Sequence, residues 1–210
     1  MASAITPERR EQVRDLVGRY RRTERLIRAG IIVGLTAVTV ALALGADLLV
    51  AGVGFLAALV ALRAPLLNPE GTTVAVTASD PDAVRDAVAG PYPPMLALVW
   101  GRSDEVAATT TGGRCEWSLL GGLRSATVTW EAEPTDGGQL VTYHVDGTPV
   151  ATYDVVVTRE NGETVVEIDA GYARRVGLRV LPSFLAATRY RDAVWAAQGY
   201  ELRERDWSLV

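Results

Sequence analysis

The chain has 210 residues, of which 49% are hydrophobic, and a formal net charge of −4. Residues 1–28 hold eight arginines against four acidic residues, whereas residues 64–210 hold twelve arginines against twenty acidic residues. A C-terminal part with a net charge of −8 is a poor nucleic-acid binder, because phosphate binding needs a positive field.

The first predicted element is a basic amphipathic helix within residues 1–28. Pro7 suits the first helical position, and Val13, Leu16 and Val17 recur at helical spacing. Three placements are open for this helix. It lies on anionic headgroups, packs on the soluble domain, or serves only as a positive flank.

An apolar stretch over residues 29–67 follows, and Asp47 is the only charge in it before Arg63. As one helix the stretch would be about 58 Å long, well beyond a hydrocarbon core of ~30 Å. The sequence therefore predicts a transmembrane helical hairpin that turns near Asp47. Gly30 and Gly34 form a GxxxG step, which predicts close packing of the two helices.

The arginines before the first span predict the orientation of the hairpin. Positive residues flank membrane spans on the cytoplasmic side, so the N-terminus should be cytoplasmic. Two spans return the chain to the same side. We therefore expect a multi-pass protein of the cell membrane, with both termini and the soluble domain of residues 68–210 in the cytoplasm.

The soluble domain should begin with a strand and a helix. Residues 72–77 alternate as a strand does, and a helix capped by Ser79 or Asp80 should run to about Ala89. Residues 91–115 give no firm prediction.

An antiparallel meander of at least four strands comes next. Its alternating segments are residues 125–133, 139–145, 149–159 and 163–169. Asp146-Gly147 and Asn161-Gly162 separate the last three, and these pairs are typical of two-residue hairpin turns.

A long helix should close the domain. Pro182 suits its start, and Gly199 stands where a C-terminal cap belongs, after about Gln198. Residues 200–209 are candidates for an edge strand.

This order of elements satisfies the layer rule for α+β domains. It resembles the START-like, or polyketide-cyclase-like, helix-grip family over residues 72–198 in element order. The stretch from Gly177 to Pro182, continued through Gly199 and Tyr200, is similar to uncharacterised haloarchaeal membrane proteins. All 21 basic residues are arginine, which suits a GC-rich genome and a high-salt cytoplasm. The predicted fold is α+β: a transmembrane hairpin, then a curved antiparallel sheet packed on a long C-terminal helix.

The resemblance implies a cavity for an apolar ligand between sheet and final helix. Two polar residues, Thr188 and Asp192, share a helical face with Leu185 and Trp195 and could orient such a ligand. Ordinary core packing is the alternative for the aromatic residues. The candidate ligand-binding residues are Trp130, Tyr143, Tyr153, Thr188, Asp192 and Trp195.

A second candidate site is the basic cluster formed by Arg174, Arg175 and Arg179. These arginines could bind lipid headgroups near the membrane. Alternatively, they pair with nearby carboxylates such as Asp169 or Asp192.

No catalytic or metal-binding constellation stands out. His144 is the only histidine and Cys115 the only cysteine. We therefore expect no zinc site, and an internal disulfide is not possible. We expect no cofactor, and an enzyme is the third hypothesis because no catalytic pair of residues can be named. The leading hypothesis is a membrane-anchored domain that binds an apolar small molecule or lipid. The alternative is a membrane-tethered structural or protein-interaction module with a filled core. A cavity of roughly 300 Å³ or more would favour the first.

Overall fold

A computed structural model describes residues 5–45, 48–119 and 124–208 of the chain. The turn predicted at Asp47 lies outside the described residues. Within them the fold is α+β, with a long N-terminal helix, an eight-stranded antiparallel sheet and a long C-terminal helix.

The first helix, α1 (Pro7–Gly45), is continuous across the basic segment and the first apolar segment. The second, α2 (Leu48–Arg63), has 16 residues and packs beside the apolar half of α1. Within the described ranges, α1 alone is long and apolar enough by length and composition to cross a membrane. A second span is therefore not established.

The packing of α2 on α1 differs from the prediction. A Cβ atom at Gly30 or Gly34 would meet nothing within 4 Å, so this GxxxG step is not the contact surface. The buried residue on α2 is Ala51, and α1 is half-buried at Leu35 and Thr39, on a different side of the helix. Small residues occur on more than one face of α1, and the sequence alone did not show which face contacts α2.

Eight strands build the sheet. They are β1 (Glu70–Thr77), β2 (Val106–Ala108), β3 (Gly112–Leu119), β4 (Arg124–Pro134), β5 (Gln139–Val145), β6 (Thr148–Glu160), β7 (Glu163–Tyr172) and β8 (Glu201–Ser208). Their order is β2-β3-β4-β5-β6-β7-β1-β8, and every neighbouring pair is antiparallel. The predicted meander is confirmed as β4 to β7, and the predicted final edge strand is β8.

The two hairpin turns adopt the left-handed backbone that their sequences favour. Asp146 and Gly147 have φ values of 50° and 73°, and Asn161 and Gly162 have 51° and 88°. Two consecutive positive φ values characterise the type I′ turn, whose twist matches that of the flanking strands.

Three further α-helices lie in the described part of the soluble domain: α3 (Pro81–Ala89), α4 (Ala97–Trp100) and α5 (Leu181–Ala197). The Asp80 carboxylate caps α3 by accepting a hydrogen bond from the Asp82 amide at 3.0 Å. The region that gave no firm prediction folds into α4, β2 and the start of β3. Its Trp100 is fully buried and donates a hydrogen bond to the Pro93 carbonyl.

The basic half of α1 packs on the soluble domain, which decides among the three placements. Val13, Val17 and Tyr20 are buried in the same core as the sheet residues. α1 runs antiparallel to α5, with Arg9 bonded to the Gln198 carbonyl near one end and Glu24 bonded to Ser183 near the other. The N-terminal segment is therefore an integral layer of the fold.

Candidate functional site: a cavity between the sheet and α5

A cavity of about 390 Å³ lies between the concave face of the sheet and α5. α4 and the buried face of α1 complete its walls. On α5 the lining side chains are Ser183, Phe184, Ala187, Arg191, Val194 and Trp195, whose spacing follows one helical face. The volume falls within the range of small-molecule sites, about 300–1,000 Å³.

Three tyrosines on neighbouring strands line the sheet side of the cavity: Tyr143 on β5, Tyr153 on β6 and Tyr172 on β7. In the described part of the chain, no group hydrogen-bonds to any of the three hydroxyls. Burial raises the pKa of all three above the ordinary value of 10.0, so they remain neutral donors at physiological pH. The cavity thus offers hydroxyl groups within an apolar, aromatic wall.

Arg102, between α4 and β2, is one of two arginines that line the cavity. Its guanidinium donates to the Tyr20 hydroxyl at 2.8 Å and pairs with Glu24 at 3.4 Å. The same carboxylate accepts hydrogen bonds from Ser183 at 2.6 Å and from Arg28 at 2.8 Å. The positive charge of Arg102 is therefore balanced by Glu24 within the protein.

Arg191 on α5 is the second arginine at the cavity. Its guanidinium carbon lies 4.6 Å from the centre of the Trp207 ring, a cation–π arrangement. Among the described residues, Arg191 forms no ion pair with a carboxylate and donates no hydrogen bond. Burial lowers the pKa of Arg191, and the nearby charge of Arg205 lowers it further. A guanidinium still remains charged at neutral pH.

The structure places the six predicted ligand-binding residues in two groups. Tyr143, Tyr153 and Trp195 line the cavity. Trp130 is buried elsewhere, where its indole donates a hydrogen bond to the Gly90 carbonyl at 3.2 Å. It therefore packs the sheet against the end of α3 and does not reach the cavity.

Thr188 and Asp192 also lie outside the cavity. Both are exposed, and Asp192 forms an ion pair with Arg205 at 3.2 Å. The expected face of α5 was centred on Leu185, which is 54% exposed. The face that meets the sheet is displaced by one residue, and this displacement brings Arg191 into the cavity instead.

Sequence reasoning missed the polar residues Tyr20, Arg102, Tyr172 and Arg191. A signal for Arg191 was present in its spacing, four residues after Ala187 and four before Trp195. An arginine on an apolar helical stripe is uncommon, because burying its charge without a partner is costly.

The basic cluster Arg174, Arg175 and Arg179 lies beside the end of α2. The main chains of Leu67 and Val176 exchange two hydrogen bonds of 2.9 and 2.7 Å, which fix the loop before α5 to the segment that leaves α2. All three arginines are exposed. Within the described ranges none of them forms an ion pair, so the expected pairing with carboxylates is not observed.

The surroundings of Cys115 suppress its reactivity. Cys115 is buried, which raises the pKa of its thiol to about 11. Thiolate is the reactive form, so this thiol is a weak nucleophile at neutral pH. Among the described residues, no three His, Cys, Asp or Glu side chains are grouped so as to hold a metal ion.

Comparison with known proteins shows a distant structural likeness. No protein-family model and no curated protein matches the chain. A crystal structure of the Mll3558 protein from Rhizobium loti matches with a TM-score of 0.41 and 15% sequence identity. The match covers 63% of this chain and 98% of that chain.

Proposed function

We propose that the protein is a membrane-anchored, non-enzymatic domain that binds an apolar small molecule or lipid in the cavity between its sheet and α5. The observation that carries this proposal is the cavity itself, about 390 Å³ and walled largely by aromatic and aliphatic side chains. Protein interiors are close-packed, with few voids larger than a water molecule. A cavity of this size is what a ligand site needs, and a module with a filled core would lack it.

The position of the cavity supports a ligand that comes from the bilayer. Pro69, Val180 and Phe184 line it close to the segment that leaves α2. Val180 follows the loop that is bonded to Leu67. A lipid that left the membrane beside α2 would therefore have a short path into the cavity.

The basic cluster supports the same geometry. Exposed arginines near an anionic membrane surface contribute about 1 kcal/mol each to its attraction. Arg174, Arg175 and Arg179, together with exposed Arg63 at the end of α2, would face the headgroups in a membrane-anchored protein. This arrangement would hold the mouth of the cavity close to the lipid surface.

A two-span anchor with both termini in the cytoplasm is part of the proposal. The arginine-rich start of α1 and the packing of α2 against α1 support it. The test uses a Cys115→Ser background with one probe cysteine, either Asp47→Cys or Glu160→Cys. An impermeant maleimide added to intact cells should label the first and not the second. Labelling of the second from outside would contradict this topology.

Photolabelling tests the binding itself. The full chain in lipid nanodiscs is exposed to a diazirine-bearing long-chain alcohol, and the labelled peptides are mapped by mass spectrometry. We expect adducts on peptides that contain Tyr153 and Trp195. Ala187→Phe, which places a ring in the cavity, should reduce these adducts several-fold. Ala196→Phe adds the same ring on the exposed side of α5 and should leave them unchanged. Equal labelling in both variants would refute the cavity as the binding site.

A further inference from the structure

Arg191 holds a positive charge at the cavity that the described part of the chain does not neutralise. The charged side chains that act on it are Arg205, which repels it, and Asp192, which is exposed and already paired with Arg205. A buried charge without a partner is destabilising, whereas pairing and hydrogen bonding recover much of that free energy. An anion at this position would therefore bind favourably.

Arg102 provides an internal comparison in the same cavity. There the fold supplies a carboxylate, Glu24, together with a hydroxyl, Tyr20, as partners for the guanidinium. At Arg191 the hydroxyls are present but the carboxylate is missing. Tyr153 and Tyr172 interact electrostatically with Arg191, and their hydroxyls have no hydrogen-bond partner in the described residues.

The carboxylate of a bound ligand would supply the partner that Arg191 lacks beside the hydroxyls of Tyr153 and Tyr172. A carboxylate has two oxygens with about four acceptor sites, which a guanidinium and two hydroxyls can fill. Hydrogen bonds between charged partners are roughly twice as strong as neutral ones. The rest of the cavity is apolar, so the same molecule must also carry a hydrocarbon portion.

The size of the cavity limits that hydrocarbon portion. At ~30 Å³ per water-sized group, 390 Å³ accommodates about thirteen such groups. This is enough for most of one acyl chain, whereas the two chains of a phospholipid would extend well beyond this space.

We propose that the cavity binds a single-chain acidic amphiphile, a long-chain carboxylate, whose head group is held by Arg191 and the hydroxyls of Tyr153 and Tyr172. The inference rests on the proposed function and adds the chemical class of the ligand and the residue that selects it. Arg191 is the specificity-determining residue of this site.

The experiment compares three photoreactive probes of equal chain length in nanodiscs at pH 7.5: a diazirine-bearing carboxylate, the matching alcohol and the matching alkyl phosphate. The wild type should label with the carboxylate about tenfold or more above the alcohol, the ratio expected for hydrogen bonds to a charged group. Arg191→Gln should remove this preference, so that the ratio of carboxylate to alcohol labelling falls to about one. Arg191→Lys keeps the charge and should retain part of the preference. Arg189→Gln, on the exposed face of α5, is the matched control and should behave as the wild type.

The outcomes separate the two proposals. Equal labelling of the wild type by carboxylate and alcohol, or an unchanged preference in Arg191→Gln, overturns this inference and leaves the apolar site standing. Stronger labelling by the phosphate also overturns it, in favour of a phosphate head group. If none of the three probes reaches the cavity peptides, the proposed function fails as well. The wild-type ratio needs no variant, so the inference stays testable even if Arg191→Gln does not fold.

Discussion

Val17→Ala tests whether the N-terminal half of α1 is a structural layer of the soluble domain. Val17 is 0% exposed, and its Cγ2 atom lies close enough to Gly101 to meet any added Cβ there at 2.7 Å. The change removes two carbon atoms from this contact, worth about 1.6 kcal/mol at ~0.8 kcal/mol per carbon. The remaining void adds about 1 kcal/mol, because such cores relax only partly. The expected loss of unfolding free energy is therefore about 2–3 kcal/mol.

Thermal melts of the detergent-purified protein, followed by tryptophan fluorescence, measure this loss. All five tryptophans lie between residues 100 and 207, so the signal reports on the soluble domain. A loss of 2–3 kcal/mol corresponds to a Tm decrease of roughly 5–10 °C for a domain of this size. Val33→Ala makes the same chemical change on the apolar half of α1, where the side chain is 67% exposed, and should leave Tm within about 1 °C. If Val17→Ala and Val33→Ala both have the Tm of the wild type, the N-terminal half of α1 does not pack in the core of the soluble domain.

Three further predictions follow from individual contacts. Glu24→Gln removes the carboxylate partner of half-buried Arg102 and should lower the stability by about 2–3 kcal/mol, measured by chemical denaturation. Burial raises the pKa of Tyr200 from 10.0 to about 12, so its neutral form stabilises the fold below pH 10, and this contribution is lost as pH rises towards 12. Between pH 8 and pH 11, Tyr200→Phe should therefore gain about 1.4 kcal/mol relative to the wild type in denaturation experiments. Gly177→Ala would place a Cβ 2.7 Å from the Leu62 carbonyl oxygen, and we expect a loss of about 1–3 kcal/mol and faster proteolysis of the loop before α5.

The Glu24→Gln and Gly177→Ala predictions each have a matched control. Glu11→Gln removes an exposed acid from the same helix as Glu24 and should change the stability by less than about 0.5 kcal/mol. Gly137→Ala adds a Cβ where nothing lies within 4 Å and should protect the loop as the wild type does. If a variant is as stable as its control, the contact that it was designed to remove does not stabilise the fold. A stability difference between Tyr200→Phe and the wild type that does not change with pH would contradict the raised pKa of Tyr200.

The parts of the fold that the sequence predicted depend on local chemistry. The turns at Asp146-Gly147 and Asn161-Gly162 need positive φ at both positions, and these residue pairs favour that backbone by themselves. The Asp80 cap and the start of α5 at Pro182 are likewise encoded within a few residues. Such signals need no knowledge of distant contacts.

The parts that the sequence did not predict depend on contacts between distant residues. The packing of Val17 against Gly101 joins positions 84 residues apart, so the amphipathic pattern alone allowed a membrane surface equally well. On α5, apolar residues occur around much of the helix, and the pattern did not show that Leu185 faces outward. Because the wrong face of α5 was assigned to the cavity, the predicted site included Thr188 and Asp192 and omitted Arg191.

The presence of a ligand in the cavity is the central claim, and lipid extraction followed by mass spectrometry tests it most directly. The full chain is purified in mild detergent, and the molecules that copurify are quantified per protein chain. The wild type and Ala196→Phe should each carry close to one equivalent of an apolar or amphiphilic compound, and Ala187→Phe should carry much less. Equal amounts in all three proteins, at the level of an unrelated membrane protein in the same detergent, would contradict a ligand-binding cavity.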